Sequence, residues 1–142
     1  MGVPRILNKK QVTDMVNKNR SLSRQDLRGV DLSGVCFDGA DMRGAKLAGC
    51  NLTRTTFRGT NLAAASLWHA DCTDACFDRA NLEDADLDLT NLDGCTFREA
   101  KIRKAIFPYA RVSIDQIETS VRTGRKIRMN PRRNQAKKTR RR

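Results

Sequence analysis

His69, Cys72 and Cys76, in the stretch WHADCTDAC, are the residues of this 142-residue chain whose types and spacing come nearest to a reactive site. A histidine beside two thiols can bind zinc, or pair as base and nucleophile. A second chemistry lies in Asp71, Asp74, Asp78, Glu83, Asp84, Asp86, Asp88 and Asp93, opposed within residues 71–93 only by Arg79. Such a band of carboxylates can imitate the phosphates of a nucleic-acid backbone. A third lies in the last eighteen residues, RKIRMNPRRNQAKKTRRR, which hold ten basic side chains and no acidic one. A segment like this binds polyanions, with an affinity that falls steeply as salt rises.

The net charge of +12 is unevenly placed: +4 in residues 1–20, −2 in 21–110, zero in 111–124 and +10 in 125–142. The body of the chain is close to neutral and its C-terminal end is not. Apolar residues make up 39% and aromatics 5%, thin for a conventional core, and no apolar run is long enough to span a membrane. MGVPRILNKKQ lacks the apolar stretch of a secretory signal, and the five cysteines show no paired metal spacing. These features predict reduced thiols in a cytoplasmic compartment.

The elements that must position these residues follow from a repeat. Counting in fives from Leu22 to Phe107, eighteen consecutive positions are apolar or Cys, among them Leu27, Phe37, Leu47, Cys72, Leu87 and Ile102. Two residues before each lies a second register of small side chains, such as Ala45, Cys50, Thr55, Ala85 and Cys95. The residue between is often Asp or Asn, types that bond their own backbone in turns. Helices repeat at about 3.6 residues and strands at 2, so a period of five is neither. It describes a chain that turns a corner every five residues with one large and one small side chain inside.

The phenylalanines give the number of corners. Phe37, Phe57, Phe77 and Phe97 are twenty apart, so four pentads close a circuit and the rings stack. The chain is therefore an all-β solenoid with four sides. Eighteen pentads make about 4.5 coils, a rod roughly 20 Å long at the spacing of paired strands.

The pattern Ala-(Asp/Asn)-Leu-X-X, seen as ADLDL, ANLED, TNLDG and GADMRG, resembles the pentapeptide-repeat family over residues 22 to 110. The resemblance implies a right-handed quadrilateral β-helix and carries no single function. Within that family, some members that resemble DNA occupy the DNA-binding saddle of gyrase, and a C-terminal helical segment can mediate dimerisation.

The ends of such a rod need covering. Asn8 and Gln11 frame a short helix with Val12, Met15 and Val16 on one face, within an N-terminal segment of residues 1–21. After the solenoid, residues 22–112, Ser113 and Gln116 form a capping-box pattern opening a helix over 113–124. Ile114, Ile117 and Val121 fall on one face of it and Gly124 stops it. Residues 125–142 read as a basic disordered tail, with Asn130, Pro131 and Asn134 opposing a helix.

The register decides among the chemistries. It points Cys72 into the core and sends His69 and Cys76 out from different sides, so no metal or nucleophilic site forms and an enzyme is not expected. Cys36 and Cys76 share a column two coils apart, about 9–10 Å, too far for a disulfide. The acidic band reads as a DNA-mimic surface or as the polar outside that every coil needs. Trp68, Leu89 and Tyr109 point outward in successive coils, either as a protein-contact patch or as a seat for the C-terminal helix.

The first functional expectation is a non-catalytic scaffold bound to nucleic acid, RNA ahead of DNA, in a ribonucleoprotein such as the ribosome. Its contacts are Arg125, Lys126, Arg128, Arg132, Arg133, Lys137, Lys138, Arg140, Arg141 and Arg142, supported by Lys101, Arg103 and Lys104. Binding would follow the backbone without reading sequence, since no aromatic stacking motif accompanies the tail. The alternatives are a DNA-mimic inhibitor of a type II topoisomerase or other DNA-binding protein, and a structural component of a phage or other particle. No cofactor, metal, membrane or small-molecule substrate is expected, and a homodimer through the C-terminal helix is a further option.

Overall fold

The computed structural model describes residues 7–131. Every isolated β-bridge among them is parallel and joins residue i to i+20, from Asp26 with Lys46 to Asp86 with Ile106. Four pentads thus make one circuit, and each residue lies against its counterpart in the next coil.

The corner has one cause repeated. Within each pentad the residue two after the inward Leu or Phe has a left-handed backbone, as at Gly29 (φ 73), His69 (φ 63), Leu89 (φ 58) and Lys104 (φ 60). The amide three residues after the inward side chain then bonds back to it, Val30 N to Leu27 O at 3.2 Å for example. That is a turn with positive φ at its third residue, which glycine adopts without strain. The Asp or Asn before the inward residue braces the same corner: Asp31 Oδ1 accepts from Ser33 N at 3.0 Å, and Asn81 Oδ1 from Glu83 N at 3.0 Å. Between corners the coils are tied by their amides, Leu47 N to Ser66 O and Asn51 N to Val30 O.

Inside, Leu, Phe and Met of the large register are fully buried through most of the rod. The phenylalanine column stacks at 5.3, 5.0 and 5.0 Å between centroids, with planes within 13° of parallel, and ends on Phe107 edge-on to Phe97. Polar members of the small register are tolerated because they find carbonyls: Thr55 Oγ1 donates to Leu32 O of the coil before at 3.0 Å, Cys50 Sγ to Leu27 O at 2.8 Å, and Thr90 Oγ1 to Leu87 O of its own turn at 2.6 Å.

Helix α1 (Lys9–Asn17) opens with a reciprocal capping box between Asn8 and Gln11, both bonds 2.8 Å. Val12 is buried with the first coil's core, and Met15 and Val16 are half-buried against it. Helix α2 (Ile114–Thr123) ends on Gly124 in the left-handed conformation. It supplies acceptors that a further coil would otherwise supply: Ser120 Oγ takes Phe97 N at 3.0 Å and Val121 O takes Glu99 N at 2.8 Å.

Two expectations for this end are corrected. Ile114 is 58% exposed, so the buried side of α2 is Ile117 with Ser120, and Val121 is half-buried. Ser113 caps Gln116 N, but the Gln116 side chain does not return to Ser113. It pairs instead with the backbone of Arg128, accepting from its N–H and donating to its carbonyl, both at 3.0 Å.

That pairing marks the larger correction: residues 125–130 are not a free tail. They run extended along the open edge of the solenoid, with Gly94 N bonded to Ile127 O and Ile127 N to Cys95 O. Ile127 is 1% exposed, and Met129 N bonds Asp93 Oδ1 at 3.1 Å. The physical reason is that the coil through residues 92–95 has no successor on that side, so its amides and apolar floor take the next strand-forming segment.

Acid stability depends on two exposed corners. Arg28 grips Asp26 through Nε and a terminal nitrogen, and Arg43 does the same to Asp41. The guanidinium bonds bring each carboxyl from 3.8 to about 2. A folded-state value below the unfolded one stabilises above about pH 4 and loses that contribution as pH falls toward about 2. The double change Arg28→Gln and Arg43→Gln is therefore expected to lower the thermal midpoint at neutral pH. Its difference from the parent should shrink as pH falls toward about 2 and disappear only below that value, as followed by circular dichroism.

Candidate functional site

The histidine–cysteine stretch is taken apart by its own register. Cys72 is fully buried, His69 sits exposed on a left-handed corner, and half-buried Cys76 receives the Thr96 hydroxyl at 3.5 Å on the adjacent side. Burial pushes the thiols of Cys72, Cys95 and Cys50 up, away from the thiolate. No group of three His, Cys, Asp or Glu among the described residues is placed to hold a metal ion. Of the five thiols, a water-soluble maleimide is expected to modify only Cys36 and Cys76 in the native protein, and all five after denaturation, counted by mass spectrometry.

The eight acidic residues do not share a face. Asp71, Asp74 and Asp93 belong to one side of the rod, Asp78 to the next, Glu83 and Asp84 to the third, and Asp86 and Asp88 to the fourth. They ring a coil where a nucleic-acid mimic needs a strip along the axis. Several are bonded to backbone: Asp71 to Thr73 N, Asp78 to Arg98 N, Asp86 to Asp88 N and Asp93 to Met129 N. The twenty-residue period also sets bases directly over acids. Arg103 and Lys104 share a cleft with Glu83 and Asp84, whereas the cleft around Asp78 holds three arginines, Arg58, Arg79 and Arg98. Opposite charges one coil apart, about 5 Å, lie within a Debye length of about 8 Å and partly offset each other at Glu83 and Asp84, while Asp71, Asp86, Asp88 and Asp93 have no base twenty residues on. The same pairing weakens Arg103 and Lys104 as independent cationic contacts, while Lys101 lies exposed over Asn81.

The densest positive charge is at the C-terminal end. Arg125, Lys126 and Arg128 are exposed on the segment that Ile127 and Gln116 pin to the rod. Arg122 and Arg125 line one shallow cleft at the end of α2. There the helix dipole and cations are mutually favourable. Arg132, Arg133, Lys137, Lys138, Arg140, Arg141 and Arg142 lie outside the described residues. Sequence reasoning missed the pinned segment; its signal was the alternation of Ile127 and Met129 inside a charged run.

The outward apolar residues are uncovered. Trp68 is 46% exposed, Leu89 56% and Tyr109 52%, joined by Ile106 at 50%. The C-terminal helix does not seat on them, because its buried side faces the coil end through Ser120.

A family model for pentapeptide repeats matches residues 21–44, 40–75 and 75–110, as eight copies. Among solved structures, a pentapeptide-repeat protein of the cyanobacterium Nostoc PCC 7120 is 31% identical, with TM-score 0.63 over 68% of this chain and 81% of that one. A pentapeptide-repeat protein of the Arabidopsis thaliana thylakoid lumen is 32% identical, with TM-score 0.56 over 56% of this chain. HetL of Nostoc sp. PCC 7120, involved in heterocyst differentiation regulation, is 31% identical, with TM-score 0.56 over 63% of this chain. The chain spans 55% of the Arabidopsis protein's length and 44% of HetL's. No curated protein matches it. No described helix is long and apolar enough to cross a membrane.

Proposed function

The chain belongs to the pentapeptide-repeat family, and we propose that it serves as a non-catalytic scaffold bound to RNA through its basic C-terminal extension. Proteins of this family fold as right-handed quadrilateral β-helices and are in general structural or protein-binding. In this reading the rod has about 4.5 coils closed by α1 and α2.

One observation carries the proposal: residues 125–142 hold +10 of a net +12, on a repeat region, residues 21–110, whose net charge is −2. A neutral rigid body with a concentrated cationic end docks by that end. Binding is backbone-driven, by release of counterions from phosphates, and single-stranded or structured RNA in a larger ribonucleoprotein is the favoured partner. The DNA-mimic alternative is less favoured, since the acidic residues are spread over all four sides of the rod and Asp78, Glu83 and Asp84 lie under bases of the next coil. A role inside a nucleic-acid-containing particle would use the same basic end.

The test is recovery from lysate by the full chain and by residues 1–131, each with and without RNase. RNA recovered by the full chain alone, and lost on RNase treatment, supports the proposal. A DNA-binding enzyme recovered equally by both, indifferent to RNase, would overturn it.

A further inference from the structure

We propose that the face carrying Trp68, Leu89 and Tyr109 is a two-fold interface between copies of this chain. The first observation is conformational. Leu89 occupies a left-handed corner (φ 58) and is 56% exposed, so it bears backbone strain with no burial in return. All eight glycines among the described residues have positive φ, seven of them at such corners. Ten further corners carry other residues, and of these only Leu89 is a large apolar side chain, the rest being charged, histidine or alanine. A large apolar side chain held exposed at a strained corner points to an interaction outside the chain.

The second is shape. Leu89 borders a groove of about 290 Å³ with His69, Asp88, Thr90, Pro108, Ala110 and Arg111. Trp68 stands beside it, 5.3 Å from the His69 ring, and Tyr109 follows in the next coil. Aromatic and aliphatic side chains around a groove are the composition of interface centres.

The third observation selects the occupant. The groove is lined by one acid, Asp88, and one cation, Arg111, beside apolar Leu89, Pro108 and Ala110. Arg111 is held there by the pinned segment, donating from Nε to Asn130 O at 3.0 Å. With a two-fold axis placed so that Asp88 of one copy meets Arg111 of the other, the pair forms twice and Leu89 and Tyr109 of both copies can share the contact. The surface is therefore its own complement, the requirement of an isologous contact. Asp86 and Asp88 would repel phosphate here, which disfavours RNA as the occupant. This inference does not rest on the RNA reading, though a dimer would present two basic extensions to one polyanion.

The test is sedimentation equilibrium of the full chain over a concentration series, in salt high enough to screen the +12 charge of each copy. The mass is expected to rise from 16.0 kDa toward twice that value. Leu89→Gly and Trp68→Ser should each raise the dissociation constant about tenfold or more without lowering the thermal midpoint. Asp88→Arg and Arg111→Glu should each abolish self-association, and an equal mixture of the two should restore it as a mixed dimer. A chain that stays monomeric throughout overturns the proposal. So does a dimer that ignores Leu89→Gly and Trp68→Ser but is lost on Ile114→Asp, which would place the contact on α2.

Discussion

A chain carrying Phe77→Ala is expected to lose about 3–5 kcal/mol of stability, as large an effect as any single truncation in the rod should have. The ring is fully buried and lies 5.0 Å from both Phe57 and Phe97, so its removal opens a gap in the middle of a column. The walls of that gap cannot close in. Each coil is held at its spacing by amide bonds such as Phe57 N to Cys76 O and Phe77 N to Thr96 O, and a collapse would break them. Phe77→Leu keeps most of the volume and is expected to cost under about 1.5 kcal/mol. Urea unfolding followed by circular dichroism measures both. Because each coil touches only its neighbours, the Ala variant should also show a smaller denaturant slope, as the two halves begin to unfold separately.

The second large effect is on binding. Removing residues 132–142, with seven of the ten basic side chains of the extension, is expected to weaken RNA binding about a hundredfold or more at about 150 mM salt. The urea midpoint should not move, because the pinned segment is kept. Removing residues 125–142 should weaken binding further and also destabilise the fold. That shorter chain loses buried Ile127, worth about 1.5–3 kcal/mol, and strips the acceptor from Gly94 N. A truncation after Gly124 therefore mixes two effects, and Pro131 is the boundary that separates them.

Much of the architecture was legible because one geometric fact is written eighteen times. The inward register from Leu22 to Phe107 and the twenty-residue spacing of Phe37, Phe57, Phe77 and Phe97 imply four sides without reference to any structure. The same register disposed of His69, Cys72 and Cys76, since neighbouring pentads face different ways. It was less informative where the repeat stops. Ile127 and Met129 sit in a run of Arg and Lys, and charge density argued for disorder. What overrode it was an unpaired edge at residues 92–95, a tertiary feature with no local signature. Gln116 was read for a cap because its distance from Ser113 fits one, yet the backbone of Arg128 offered it two bonds. The acidic band was visible as composition. Its failure to form a strip required placing each residue on its side of the rod and finding Arg103 and Lys104 over Glu83 and Asp84.

The most direct measurement is the salt dependence of RNA affinity for the full chain and for residues 1–131, by fluorescence anisotropy with a labelled single strand. Each contacted phosphate contributes about 0.7 to the slope of log affinity against log salt, so losing seven cations should flatten it by up to about 5. A steep slope in the full chain that becomes shallow in residues 1–131, with affinity falling in step, is the predicted result. Equal slopes and equal affinities in the two chains would contradict it and move the binding surface onto the rod.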